Sequence, residues 1–151
     1  MDMRGPERSI VIREMEPEDY EGLIRLWDSA DLTHHPNGRD SKERTMRDLR
    51  NGKSLFLVAE AEGGIVGSLL GTTDGRKGWM NRLAVHPDWQ RKGVASSLLE
   101  EMERRFDERG ILVVCALVQE ANARSRALFT GAGYQEDRGV IYCSKRKRPE
   151  V

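Results

Sequence analysis
The sequence predicts one domain of α/β (α+β) class, with elements in the order β-α-α-β-β-β-α-β-α-β-β. Three observations lead there. Short apolar and β-branched runs recur between Gly, Pro, Asn and Asp clusters, the signature of strands bounded by turns. Between them lie stretches whose apolar residues return at helical spacing. The 151 residues are enough to bury one core without staples, so residues 1–151 read as a single domain with a core over about 10–144 and a basic tail over 145–151.

Ile10-Val11-Ile12-Arg13 is β-branched and opens the chain as a strand. Pro17 then starts a helix whose Leu23, Ile24 and Trp27 share one face, at a position where the missing proline N–H costs nothing. Residues 31–39, with Thr33, His34, His35, Pro36, Asn37 and Gly38, break the pattern into a loop. Asp40 with Glu43 fits a capping box for a second helix reaching Leu49, closed by Asn51-Gly52. Leu55-Phe56-Leu57-Val58-Ala59, the turn Gly63-Gly64 and Ile65-Val66-Gly67-Ser68-Leu69-Leu70 form a hairpin. A second turn at residues 74–78 leads to a strand over 79–85.

A long helix keeps Ala95, Leu98, Leu99, Met102 and Phe106 on one stripe, turns Glu100, Glu101, Glu103, Arg104 and Arg105 outward, and ends at Gly110. Residues 111–118 are apolar throughout, as in a strand covered on both faces. A short helix over 123–130 follows, then strands around Tyr134-Gln135 and Val140-Ile141-Tyr142-Cys143. Cys115 and Cys143 sit inside apolar runs without metal-ligand spacing and read as buried thiols of a reducing compartment. The longest apolar run is too short to span a bilayer and the N-terminus lacks a signal-like core, so the cytoplasm is the expected location. Charged residues make up 33% of the chain at zero formal net charge, which argues against binding to nucleic acid or a membrane surface through bulk charge. The tail Lys145-Arg146-Lys147-Arg148 reads as a solvated terminus.

The most informative stretch is Arg82 to Leu99, where an apolar strand ends at Val85 and a basic, glycine-bearing loop runs directly into the long helix. The first N–H groups of a helix have no intrahelical partner and lie at the positive end of its dipole, so such a start is an anion site. Arg91 and Lys92 stand beside it, and Gly93 lets a polyanion approach the backbone closely. The stretch contains neither G-x-x-x-x-G-K-[ST] nor G-x-G-x-x-G, which excludes the common nucleotide loops.

Gln90-x-x-Gly93-x-Ala95 resembles instead the [QR]-x-x-G-x-[GA] signature of the GNAT superfamily of acetyl-CoA-dependent N-acetyltransferases. Asn122-x-x-Ser125-x-x-Leu128-Phe129-x-x-x-Gly133-Tyr134 is similar to a second element of that family, and the segment order agrees over about residues 10–144. The resemblance implies a mixed central sheet of six to seven strands flanked by about four helices. It implies acetyl-CoA as cosubstrate, no metal, and transfer to a primary amine of a small molecule or protein by direct attack in a ternary complex. A homodimer is common in the family.

Carried over residue by residue, the resemblance places Gln90, Arg91, Lys92, Gly93, Val94, Ala95 and Ser96 on the cofactor pyrophosphate. Leu83 and Val85 would meet pantetheine through their main chain, with a backbone N–H near Leu83 or Ala84 as oxyanion donor. Asn122, Ser125 and Phe129 complete the cofactor set. Asn122 is equally suited to capping the helix that follows. Many members place a tyrosine where Phe129 stands, so the proton for the leaving thiolate falls to Tyr134, Tyr142 or a bound water. Trp79 and Leu117 occupy positions where some members carry glutamate. Glu120, at a strand end, is then the candidate base or a solvated loop carboxylate, and His34 and His35 are either bases or exposed loop residues. Phe129 also motivates an alternative, a non-catalytic acyl-CoA-binding regulatory module.

Overall fold
Nine of the eleven predicted elements form, in the predicted order, in a computed structural model that describes residues 9–52 and 54–150. They are β1 (Val11–Glu14), α1 (Tyr20–Ser29), α2 (Lys42–Arg50), β2 (Ser54–Ala61), β3 (Gly64–Thr73), β4 (Lys77–Val85), α3 (Val94–Glu108), β5 (Val113–Ala116) and α4 (Ala123–Gly131). Short 3-10 turns at Pro17–Asp19 and Pro87–Trp89 precede α1 and the loop before α3. The reading of the extreme N-terminus, and Val151 of the tail, lie outside the described residues.

The sheet is ordered β1-β2-β3-β4-β5, antiparallel throughout except for the parallel pair β4 and β5. Its faces carry separate apolar clusters, because side chains alternate across a strand. On one face Val94, Leu98, Leu99, Met102 and Phe106 of α3 pack on Leu57, Ala59, Leu69 and Met80. On the other, Leu23, Leu26 and Trp27 of α1 pack on Phe56, Val58 and Ala84. The sheet lets α3 lie close because glycine stands beneath it: a Cβ at Gly67 would come within 2.7 Å of Val94, and one at Gly78 within 2.9 Å of the Phe106 ring.

Several expectations need correction. The sheet has five strands among the described residues, not six to seven, and neither Tyr134-Gln135 nor residues 140–143 form a strand. A strand exists only through its pairing, and propensity alone does not supply a partner. The Tyr134 N–H closes α4 on the Phe129 carbonyl instead, and Cys143 is exposed rather than buried. Residues 111–118 give only the four-residue β5, covered on one face, with Leu112 93% exposed.

Local signals were misplaced in four other spots. Ser41, not Asp40, caps α2, accepting from the Arg44 N–H at 3.2 Å, because Asp40 is drawn into a distant ion pair. The hairpin turn is Glu62-Gly63, both in the left-handed region, while Gly64 already belongs to β3. Leu26 rather than Ile24 completes the buried face of α1. Because α3 starts at Val94, Val94 and not Ala95 begins its buried stripe.

Candidate active site
β4 and β5 pair only through Lys77–Met80 and Val113–Ala116, and then part. From Asn81 to Val85 the side of β4 away from β3 therefore has no β5 ladder. On the β3 side the register also slips: Ser68 pairs with Ala84, but Leu70 pairs with Asn81. The extra residue is a β-bulge at Arg82, whose φ of 56° is unusual for a side-chain-bearing residue. The bulge reverses side-chain parity. Met80, Leu83 and Val85 all face α3, while Arg82 and Ala84 face α1.

Two largely buried side chains, Ser68 and Arg82, hold the bulge. The Ser68 hydroxyl donates to the Arg82 carbonyl at 2.9 Å and accepts from the Trp27 indole N–H at 3.0 Å. The Arg82 guanidinium lies 5.7 Å from the Trp27 ring and donates to Asp40 at 2.8 and 3.3 Å and to the Thr33 carbonyl at 3.2 Å. Asp40 also accepts the His35 N–H at 2.7 Å, and its carbonyl accepts the Tyr20 hydroxyl. Burial first, then the Asp40 charge, raises the Tyr20 phenol above its ordinary value. The loop between α1 and α2 is thus tied to the bulged strand. Sequence reading missed all of this except Trp27 as a packing residue. The available signals were a lone hydroxyl in an apolar strand and a tryptophan needing a partner for its N–H.

After β4 the His86 N–H bonds to the Val66 carbonyl at 2.8 Å, and the His86 ring caps the turn by accepting from the Asp88 N–H. Trp89 is buried, with the Lys92 ammonium 5.5 Å from its ring. Arg91 and Gly93 both take left-handed conformations, with φ of 60° and 81°. No side chain caps α3, so its first-turn N–H groups at Val94, Ala95 and Ser96 are open, and nothing lies within 4 Å of where a Gly93 Cβ would stand. The Val94 side chain is buried, leaving only its N–H toward the loop. The Gln90 side-chain carbonyl accepts from Arg124 of α4, joining loop and helix.

The Asn122 side-chain oxygen accepts from the Ser125 N–H at 3.1 Å, so Asn122 caps α4 and its side-chain amide nitrogen remains for other contacts. Phe129 is buried edge-on against Tyr134, with ring centroids 5.2 Å apart. Burial, then the charge and hydrogen bond of Glu103, raise the Tyr134 phenol well above its ordinary value. Glu120 is exposed and paired with Arg138 at 3.2 Å. His34 is packed on Trp27 and bonded to Asp28 at 2.9 Å. A separate cavity of about 570 Å³, lined by Met15, Met46, Leu49 and Phe56, lies toward the far end of α3 and contains none of the predicted site residues.

An open helix start, a glycine that leaves room for phosphate and a gap between parallel strands fit a long ligand with a polyanionic end. Residues 13–134 match the acetyltransferase (GNAT) family. The chain belongs to that family. This GNAT protein is an acetyltransferase, with acetyl-CoA as the acetyl donor.

It is 33% identical over 135 residues to an acetyltransferase, SG1711, of Sodalis glossinidius (strain morsitans), a match covering 89% of this chain and 94% of that one. Among solved structures, an aminoglycoside acetyltransferase (meta-AAC0020) from an uncultured soil metagenomic sample superposes with a TM-score of 0.78 at 20% identity, covering 92% of this chain and 97% of the other. The PaiA N-acetyltransferase of Thermoplasma acidophilum, solved with coenzyme A, gives a TM-score of 0.76 at 24% identity, covering 85% of this chain and 91% of that one. At these identities the two superpositions show a shared fold. Among the described residues no helix is long and apolar enough to cross a membrane, and no group of three or more His, Cys, Asp or Glu side chains is placed to hold a metal.

Proposed function
We propose that this GNAT acetyltransferase acetylates a primary amine of a small molecule or peptide by direct attack in a ternary complex. The parting of β4 and β5 beside the uncapped start of α3 is the observation that supports this most. Open N–H groups from Gly93 to Ser96, with Arg91, Lys92 and Gln90, hold the pyrophosphate. Main-chain groups of Leu83 and Val85 pair with pantetheine as an added strand would, and Asn122, Ser125 and Phe129 flank its arm. Bound acetyl-CoA supplies a thioester carbonyl.

A backbone N–H at Leu83 or Ala84 is aimed where negative charge develops, because the bulge turns the strand there. The amine must arrive neutral. Glu120, His34 and His35 are the side chains proposed to take its proton, alone or through water. Water protonates the leaving thiolate, since Phe129 has no acidic proton and Tyr134, whose phenol burial raises well above its ordinary value, is the weaker donor. The small-molecule acceptor draws support from the aminoglycoside acetyltransferases that share the fold. The same reading takes the chain as a single-domain protein working as a homodimer, located in the cytoplasm on the strength of its two free cysteines.

Titration with acetyl-CoA is expected to raise the melting temperature, and an amine panel to release free thiol. Gly93→Val, which forces a β-branched residue into a left-handed conformation, is expected to weaken acetyl-CoA binding by about tenfold or more, roughly 1.4 kcal/mol. No melting shift with any acyl-CoA at millimolar concentration overturns the reading.

A further inference from the structure
We propose that the protein acetylates its own C-terminal tail within one chain, with Lys147 as the acceptor. This rests on the acetyl transfer proposed above and names one peptide amine that the site can reach. The tail is tethered to the α1–α2 loop: the Glu150 carbonyl accepts from His35 Nδ1 at 3.0 Å, across 115 positions of sequence. Beside this anchor the Arg148 guanidinium pairs with the Glu150 carboxylate at 2.8 Å, and residues 147–150 form a bend and a turn.

Hydrogen bonds lead from this anchor to the reacting strand. The His35 N–H donates to Asp40 at 2.7 Å, Asp40 accepts from Arg82 at 2.8 Å, and Arg82 adjoins Leu83 and Ala84, the proposed oxyanion donors. Lys147 stands three residues before Glu150, a span of at most about 11 Å, and its four-carbon stem extends the reach. Lys145, five residues back and up to about 18 Å away, is the poorer acceptor. Lys147 is exposed and has no hydrogen bond or ion pair among the described residues, so its amine is available.

Charge favours the same placement. A cavity of about 320 Å³ opens on the α1–α2 loop, lined by Trp27, Asp28, Asp31, Leu32, Thr33 and His34. Its two carboxylates complement the run Lys145-Arg146-Lys147-Arg148. A carbonyl can only accept, so His35 Nδ1 carries its hydrogen and Nε2 of the neutral ring is left as an acceptor. The contact that places the tail thus readies His35 to take the proton that the Lys147 ammonium must lose. Nζ then bonds to the acetyl carbon as the carbon–sulfur bond breaks. Starting from the ammonium, the products are one acetyl-lysine, one free thiol and one proton.

Incubating the full chain with acetyl-CoA and mapping its lysines by mass spectrometry tests the proposal. One acetyl group is expected at Lys147, acquired about tenfold or more faster than at the exposed Lys77. Its first-order rate is expected to stay constant over a roughly hundredfold range of protein concentration, as transfer within one chain requires. Lys147→Arg is expected to abolish the modification while acetylation of an added amine is retained. Without acetyl-CoA, a nitroxide at position 149 (Pro149→Cys, with Cys115→Ser and Cys143→Ser) is expected to broaden the amide resonances of residues 33–40. Equal modification of Lys147 and Lys77, a rate constant that rises with protein concentration, or unbroadened resonances at 33–40 each overturn the proposal. A chain that binds acetyl-CoA and acetylates an added amine yet leaves Lys147 unmodified overturns this proposal alone. The absence of any melting shift with acetyl-CoA overturns the proposed function with it.

Discussion
The Trp27 indole N–H donates to the Ser68 hydroxyl at 3.0 Å in the core, and both residues are essentially inaccessible to solvent. Ser68 in turn gives its proton to the Arg82 carbonyl at 2.9 Å, so one hydroxyl connects α1 to the bulge of β4. Ser68→Ala leaves a buried N–H and a buried carbonyl without partners, at a cost of about 1–3 kcal/mol. The bulge then loses its anchor next to Leu83 and Ala84. The expected result is a lowered melting temperature with kcat reduced more than the KM for acetyl-CoA is raised. Ser68→Cys, which keeps a weak donor, is expected to fall between the two.

The Arg82–Asp40 pair crosses from β4 to the α1–α2 loop with little exposure on either side. Breaking a buried pair by removing one partner costs about 3–5 kcal/mol, because the other charge stays buried. Arg82→Met and Asp40→Leu are each expected to destabilise strongly, and the double substitution by less than their sum. Thermal or urea denaturation across the double-mutant cycle measures the difference. Loosening this tie is also expected to raise the KM for the amine more than that for acetyl-CoA, since the loop adjoins the proposed acceptor side.

Gly67 is where β3 passes under the start of α3. An added methyl would come within 2.7 Å of Val94 Cγ1 and 3.0 Å of Leu98 Cδ1. Val94 has one strongly preferred rotamer in a helix and cannot swing aside. Gly67→Ala is therefore expected to cost about 1–3 kcal/mol and to shift the first turn of α3, weakening acetyl-CoA binding as well as stability. Gly71→Ala meets Met102 still more closely and the Phe106 ring at 3.0 Å, so it is expected to cost as much stability while leaving the first turn of α3, and acetyl-CoA binding, in place. Calorimetric titration of both variants checks the contrast.

Acid sensitivity is expected near the start of α1. Arg13 donates to Asp19 at 2.7 and 2.9 Å, and this first, with the Glu16 N–H, holds the Asp19 carboxyl below its ordinary 3.8. A carboxylate with a depressed folded pKa contributes stability in full above the unfolded value and loses it as pH falls through the folded value. The contribution is thus expected to be whole at neutral pH and to fade below about pH 4. Asp19→Asn should lower stability at pH 7 and narrow its difference from wild type at pH 3, as followed by urea denaturation.

The strand, loop and helix around residues 79–108 were legible in the sequence because their signals are local: alternation, a glycine, then helical periodicity. Asp40 was misread for the same reason. Its spacing from Glu43 fits a cap, but its partner is Arg82, far along the chain. The runs at 134–135 and 140–143 have strand composition, yet pairing is a property of two segments, and no edge of their own chain receives them among the described residues. Tyr134, a candidate acid by proximity in sequence, packs edge-on against Phe129 beside the core, and that burial, which no local pattern announces, raises its phenol.

By itself, then, the sequence determined the order of elements, the α3 stripe and the basic glycine loop, all of which follow from periodicity and backbone chemistry over a few residues. Tertiary structure decided where β4 and β5 part, that Arg82 bulges, and that Trp27, Ser68 and Asp40 hold it there. Those outcomes depend on buried polar groups finding particular partners across the fold. An unpaired buried group is costly wherever it sits, but only the packed chain determines which neighbour can satisfy it.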